Sequence, residues 1–342
     1  MPFEPFASVP LGRTPLAVTR LGFGGGSIGG LFRPVAAADA VAMVEHAWSI
    51  GIRYFDVAPL YGYGASERAM GAALAGRPRD EYVLSTKVGR LIREAGDVRP
   101  DDDLDPQALG DQHDAYYADT GGRRMAFDYS YDGVLRSVEA SLARLGLERI
   151  DILYIHDPDS HWQAALEGAY PALERLRADG VVRAIGAGMN QSAMLARFAD
   201  ETDMDVFLVA SRYTLLDQDA LPELLPRCVA RGIAVEVGGV MNTGVLVDPR
   251  PGSRFDYGPA SEAITDRARR IGAVCARHGV SSRAAAIQFP LAHPAVTGLI
   301  AGVRTPAHLD DYPASLRLSI PPALWDELRS EGLIAAEAPT PR

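Results

Sequence analysis

Tyr54-Phe55-Asp56-Val57-Ala58-Pro59-Leu60-Tyr61-Gly62, Ser85-Thr86-Lys87-Val88-Gly89 and Ile152-Leu153-Tyr154-Ile155-His156-Asp157 are three apolar, strand-like runs that each close on ionisable residues. Asp56, Tyr61, Lys87 and His156 make up an acid–base set. A phenol is a poor acid or base near neutral pH because its ordinary pKa is about 10. An ammonium beside it favours the phenolate, so Lys87 is expected to lower the pKa of Tyr61. A carboxylate at Asp56 would hold the lysine, and an imidazole at His156 would orient a substrate oxygen. Each piece alone is weak, since strands often end in aspartate and buried tyrosines usually pack. The ordered combination is demanding.

Working outward, short β-like runs alternate with amphipathic helical runs. Such alternation argues for parallel strands joined by helical crossovers. Strands are expected at Leu21–Gly24, Arg53–Val57, Tyr82–Val88, Asp151–His156, Val181–Gly188, Val206–Val209, Ile233–Val237 and Thr297–Ile300. Helices are expected at 38–50, 66–74, 132–145, 164–177, 192–199, 221–230, 262–278, 282–291, from 306 onward and at 322–331. Eight strand-and-helix units predict an α/β fold, a closed (β/α)8 TIM barrel. Residues 9–19, with a turn at Arg13-Thr14-Pro15, read as a hairpin ahead of it. No linker or low-complexity segment divides residues 1–342, so one domain is expected. In such a barrel, chemistry sits at the C-terminal strand ends, which is where Asp56, Lys87 and His156 fall.

Bulk properties narrow the partners. The formal net charge of -10 argues against nucleic acid and anionic membranes. No apolar run approaches the roughly 20 residues that span a bilayer. Met1–Pro10 has neither a basic start nor a long apolar run, so no signal peptide is expected and the location is expected to be cytoplasmic. Cys228 and Cys275 have no metal-site spacing, and no metal is expected.

Between Lys87 and Asp132 lies a long loop, Gly89–Ser130, placed to overhang the active site. Its first half, 93–110, is expected to be mobile. Its second half, with Tyr116, Tyr117, Phe127 and Tyr129, is expected to be ordered and to form the pocket. His113, Tyr116 and Tyr117 are candidates to stack on a substrate ring.

The Asp56–Tyr61–Lys87–His156 pattern resembles the catalytic tetrad of the aldo-keto reductases, and the resemblance runs from Leu11 to about Tyr312. It implies hydride transfer to or from a nicotinamide and a hairpin capping the barrel bottom. The implied cofactor contacts are Gly25 and Gly26 after the first strand, Asp56, Asn190, Ser211, Gly238, Gly239, Gly302, Arg304 and His308. Relatives that use NADP carry a lysine and an arginine where this chain has Gly302 and His308, so NAD is favoured and NADP remains possible. The tyrosine that stacks on the nicotinamide in many relatives is replaced by Gly238. Asn190 and Ser211 stand in for the usual carboxamide-holding residues.

The stretches Gly186-Ala187-Gly188-Met189-Asn190 and Ile155-His156-Asp157-Pro158-Asp159, with the long loop, resemble a branch that oxidises cyclic hemiacetals to lactones. Its members act on aldoses such as L-fucose or D-arabinose, or on pyridoxal. The alternatives are an NADPH-dependent aldehyde or ketone reductase and a non-catalytic nucleotide-binding barrel. The partner is a small molecule, and the chain is a monomer or a small homo-oligomer.

Overall fold

The computed structural model describes residues 2–106, 117 and 120–342. Strands, numbered in chain order, are β1 (Ser8–Pro10), β2 (Ala17–Thr19), β3 (Leu21–Gly24), β4 (Tyr54–Asp56), β5 (Val83–Val88), β6 (Arg90–Arg93), β7 (Arg124–Phe127), β8 (Ile152–His156), β9 (Ala184–Met189), β10 (Val206–Ala210), β11 (Ala234–Gly238), β12 (Arg254–Phe255), β13 (Gly258–Pro259) and β14 (Val296–Ala301). Eight of them, β3, β4, β5, β8, β9, β10, β11 and β14, pair in parallel in that order, and β14 returns to β3 to close a barrel. The eight-stranded (β/α)8 reading of the sequence holds.

Period-two alternation decides what fills the barrel and what faces the helices. Tyr54, Val83, Ile152, Tyr154, Val206 and Ala234 form the inner cluster, while Phe55, Leu84, Leu153 and Ile155 belong to the outer one. The hairpin β1–β2 contributes Leu11, Leu16 and Val18 to the inner cluster and so plugs the barrel bottom. Register aligns Asp56 with Ser85, Lys87 with Tyr154 and His156 with Gly188. Two residues beyond the inward-facing Tyr54 and Tyr154, alternation makes Asp56 and His156 inward-facing as well, at the strand ends.

Helices pack outside: α1 (Ala37–Ser49), α2 (Ala65–Leu74), α3 (Tyr131–Leu145), α4 (Trp162–Ala164), α5 (Tyr170–Ala178), α6 (Ala193–Glu201), α7 (Leu224–Arg231), α8 (Glu262–Arg277), α9 (Ser282–Gln288), α10 (Pro306–Leu316) and α11 (Pro322–Ser330). Caps set several boundaries. The Ser130 hydroxyl accepts from the Gly133 N–H at 3.0 Å, and Gly146 ends α3 at φ 64°. The single helix expected over 164–177 is instead α4 and α5 joined by a π-helical turn, Ala165–Ala169. Pro171, with no N–H to give, sits at the start of α5. The helix expected over 282–291 stops at Gln288, just before Pro290.

The long insertion departs most from expectation. It is not loop throughout: β6 pairs antiparallel with β7 at its two ends, Arg90 opposite Phe127. Asp105 is buried, and its N–H donates to the Met125 carbonyl at 2.8 Å. A four-residue strand whose partner lies some thirty residues away leaves no local periodic signal. Of the expected pocket residues, Tyr117 is buried and bridges to Leu31, whereas His113 and Tyr116 lie outside the described residues. A second unforeseen hairpin, β12–β13, turns at Asp256 and Tyr257, both at positive φ. Among the described residues, no helix is long and apolar enough to cross a membrane.

Candidate active site

A cavity of about 400 Å³ opens at the C-terminal end of the barrel. Tyr61, Lys87, His156, Gly26, Tyr117 and Asn190 line it, so residues drawn from six separate stretches of sequence meet in one place. Asp56 lies just behind. Its Oδ2 is 2.6 Å from the Lys87 ammonium, and both groups are almost fully buried. The ammonium also donates to the Val57 carbonyl at 3.0 Å, and the Ser85 hydroxyl donates to Asp56 Oδ1 at 2.8 Å. With those contacts the lysine is fixed in place.

Tyr61 sits on the loop after β4, its ring centroid 4.7 Å from the Lys87 Nζ. The His156 ring meets it edge-on, 5.8 Å centroid to centroid at 89°. The phenol pKa is pushed well above its ordinary value, chiefly by burial and then by the Asp56 carboxylate, while the Arg90 guanidinium pulls it down. The sequence suggested the opposite direction. The lysine charge is offset at 2.6 Å by Asp56, so burial wins and Tyr61 rests as the protonated phenol. The His156 pKa is pushed well below its ordinary value by burial and then by Arg90 and Lys87, so the ring is a neutral imidazole.

Glycines shape this loop by what they lack. A Cβ on Gly29 would lie 2.6 Å from the Tyr61 carbonyl carbon, and Gly62, at φ 63°, faces Gly29 from the other side. Gly25 does not line the cavity. Its N–H donates to the Asp56 carbonyl at 2.7 Å, and its carbonyl accepts from the Ser66 hydroxyl at 2.8 Å. Part of the glycine run is therefore explained by packing against the Tyr61 loop.

Three functional-looking groups escaped the sequence reading. The Arg90 guanidinium lines the cavity and bridges Asp105 (2.6 Å) and Asp157 (3.2 Å). Asp157 has positive φ, 40°, unusual for a non-glycine residue, and its carboxyl is raised to about 6, mainly by burial. Glu236 is fully buried inside the barrel, both carboxyl oxygens without a hydrogen-bond partner among the described residues, and its pKa lies well above the ordinary value, first through burial and then through Asp56. An acidic residue in the middle of an apolar strand, Ala-Val-Glu-Val-Gly (234–238), was the available signal for Glu236. No local pattern marks Arg90, and Asp157 stood in the 155–159 stretch without a role of its own.

Residues 20–330 match the Aldo/keto reductase family. The chain belongs to that family. It is 43% identical over 329 residues to D-threo-aldose 1-dehydrogenase of a Pseudomonas species, covering 95% of this chain and 96% of the relative. It is 42% identical over 338 residues to pyridoxal 4-dehydrogenase of Microbacterium luteolum, covering 95% and 97%. The holo form of an aldo-keto reductase from Bacillus halodurans superposes with a TM-score of 0.73 at 22% identity, covering 97% of this chain and 98% of that one, which is a likeness of fold.

As an aldo/keto reductase, the chain is an NAD(P)-dependent oxidoreductase acting on small molecules. The residues around the cavity mouth suit a nicotinamide dinucleotide. Gly26, Gly188 and Gly238 leave room beside the cavity, where an added Cβ would find its nearest neighbour at 3.9, 3.6 and 3.6 Å. Gly302 is equally open, with Ser27 Oγ 3.5 Å from a built Cβ. Ser211 lies off the cavity at positive φ, its hydroxyl donating to the Gly239 carbonyl at 3.4 Å. Arg304 and His308 are exposed near the start of α10, where Thr305 caps the His308 N–H at 3.3 Å. One Arg304 nitrogen already donates to the Leu31 carbonyl at 2.6 Å.

Proposed function

We propose that this aldo/keto reductase oxidises the anomeric carbon of a cyclic aldose, such as L-fucose or D-arabinose, to a lactone with NAD. One observation carries the chemistry: Tyr61, Lys87 and His156 line a single cavity, with Asp56 paired to the lysine behind it. Tyr61 takes the proton of the anomeric hydroxyl, and His156, as a neutral imidazole, holds the same oxygen. Asp56 and Lys87 position Tyr61 and balance charge around it. Gly26, Gly188 and Asn190, which line the cavity, would hold an oxidised nicotinamide, which would supply the hydride acceptor and a positive charge favouring the Tyr61 phenolate. The ring oxygen of a hemiacetal stabilises positive charge developing at that carbon, and the lost hydride and proton leave a carbonyl.

The lining supports this substrate class. Lys87, Arg90, Arg212, Asp157, Asp159 and Asp256 give the cavity three cations and three carboxylates, which suits a neutral polyhydroxylated molecule. The 43% identity to a protein named D-threo-aldose 1-dehydrogenase points the same way. A second reading, oxidation of pyridoxal at its hemiacetal carbon, is favoured by the Tyr117 and Tyr257 rings at the cavity and by the 42% relative. NAD is preferred over NADP because Gly302 offers no cation and Arg304 is tethered to Leu31.

The deciding experiment is steady-state turnover with NAD or NADP against L-fucose, D-arabinose and pyridoxal, and with aldehydes plus reduced cofactor. Lactone formation from an aldose with NAD is expected. Turnover of pyridoxal alone, or of aldehydes with NADPH alone, would replace this reading.

A further inference from the structure

The geometry points to Asp157 as the residue that selects substrates bearing a hydroxyl on the carbon next to the reacting one. The inference rests on the proposed aldose oxidation and extends it. Asp157 Oδ2 lies 3.6 Å from His156 Nε2, and both residues line the cavity. A substrate oxygen held by the imidazole therefore has a carboxylate oxygen beside it, at a spacing that suits hydroxyls on neighbouring carbons. A carboxylate accepts hydrogen bonds, and a bond to a charged acceptor is among the stronger ones a sugar hydroxyl makes.

The protein holds this carboxylate at a cost. Asp157 has φ 40°, a strained conformation for a residue with a side chain. Several contacts over-determine it. Its N–H donates to the Gly188 carbonyl at 3.1 Å, and its own carbonyl accepts from the Tyr129 hydroxyl at 3.0 Å. Arg90 reaches Oδ2 at 3.2 Å and is itself pinned by Asp105 at 2.6 Å. The Arg90 and Asp105 side chains are 7% and 2% exposed, while Asp157 keeps 15% and so remains reachable. This is a rigid acceptor aimed at a particular substrate atom, and no proton or hydride transfer is asked of it.

The test compares kcat/KM for an aldose and its 2-deoxy analogue in the wild type and in Asp157→Asn. The wild type is expected to prefer the hydroxylated sugar by about 10- to 100-fold, the range of a hydrogen bond to a charged group. In Asp157→Asn that preference is expected to collapse toward parity, mostly through KM. A purely structural role would lower both substrates together and leave the ratio alone. Equal preference in both proteins, or no preference in the wild type, overturns the inference while leaving aldose oxidation intact. A wild type that oxidises no aldose overturns the proposed function instead. Asp157→Glu, which keeps the charge but displaces it, gives the same comparison where the asparagine variant does not fold.

Discussion

Gly29 and Tyr61 touch backbone to backbone: a methyl group added at Gly29 would sit 2.6 Å from the Tyr61 carbonyl carbon and 2.9 Å from the Gly62 nitrogen. Tyr61 is thus placed by a loop on the neighbouring barrel unit as well as by its own. Gly29→Ala must push that loop outward. Because about 1 Å of misplacement costs on the order of 100-fold in rate, a loss of that order in kcat is expected, with the far-ultraviolet circular dichroism unchanged. Turnover within threefold of wild type would show that the contact does not set the position of Tyr61.

Tyr61→Phe and Lys87→Met should separate chemistry from stability. Each is expected to lower kcat by about 10²- to 10⁴-fold, the range for a lost general acid–base group. Only the lysine variant should also unfold easily. It leaves Asp56, 3% exposed, without its partner at 2.6 Å, and breaking a buried pair from one side costs about 3–5 kcal/mol. Urea denaturation of the two variants side by side checks this.

The pH dependence follows from the direction in which Tyr61 is shifted. Its pKa lies well above the ordinary value, so the free enzyme holds the protonated phenol at neutral pH. Reduction uses that form and oxidation needs the phenolate. The kcat/KM for oxidation is therefore expected to climb with pH across the neutral range, while reduction stays flat above the titration of Asp157 at about 6. His156, pushed well below its ordinary value, should give no inflexion near 6.5. An oxidation profile flat from pH 6 to pH 9 would contradict the assignment of Tyr61 as base.

Glu236 offers a stability measurement independent of turnover. A carboxyl whose folded pKa is raised binds its proton more tightly in the native state. Its favourable contribution is present below the unfolded value of about 4.5 and is lost as pH rises toward the folded pKa. Glu236→Gln, which cannot ionise, is expected to gain in Tm relative to wild type as pH rises from 4.5 to 8. A constant difference in Tm over that range would mean that Glu236 does not titrate with folding.

The barrel was legible because its evidence is local. Runs such as 152–155 and 206–210 are continuously apolar, as strands buried on both faces must be, and helices such as α3 announce themselves by apolar spacing and by the Ser130 and Gly146 caps. The tetrad positions were legible for the same reason: the ionisable residues stand at the ends of those runs, and two-residue alternation turns Asp56 and His156 inward. Boundaries shifted where proline intervened, at Pro171 and Pro290, and the strand and helix expected from 181 and 221 begin three residues later, at Ala184 and Leu224.

The sequence by itself thus determined the eight strand-and-helix units and which ionisable groups stand at the mouth of the barrel. Tertiary structure alone decided how those groups are charged and what surrounds them. The direction of the Tyr61 shift depends on burial and on the short Lys87–Asp56 distance, neither of which has a sequence period. The pairing of β6 with β7, the Asp105–Arg90–Asp157 chain and the unpartnered Glu236 join residues far apart along the chain. Such contacts are set by the three-dimensional arrangement of separate segments, so a window of consecutive residues carries no trace of them.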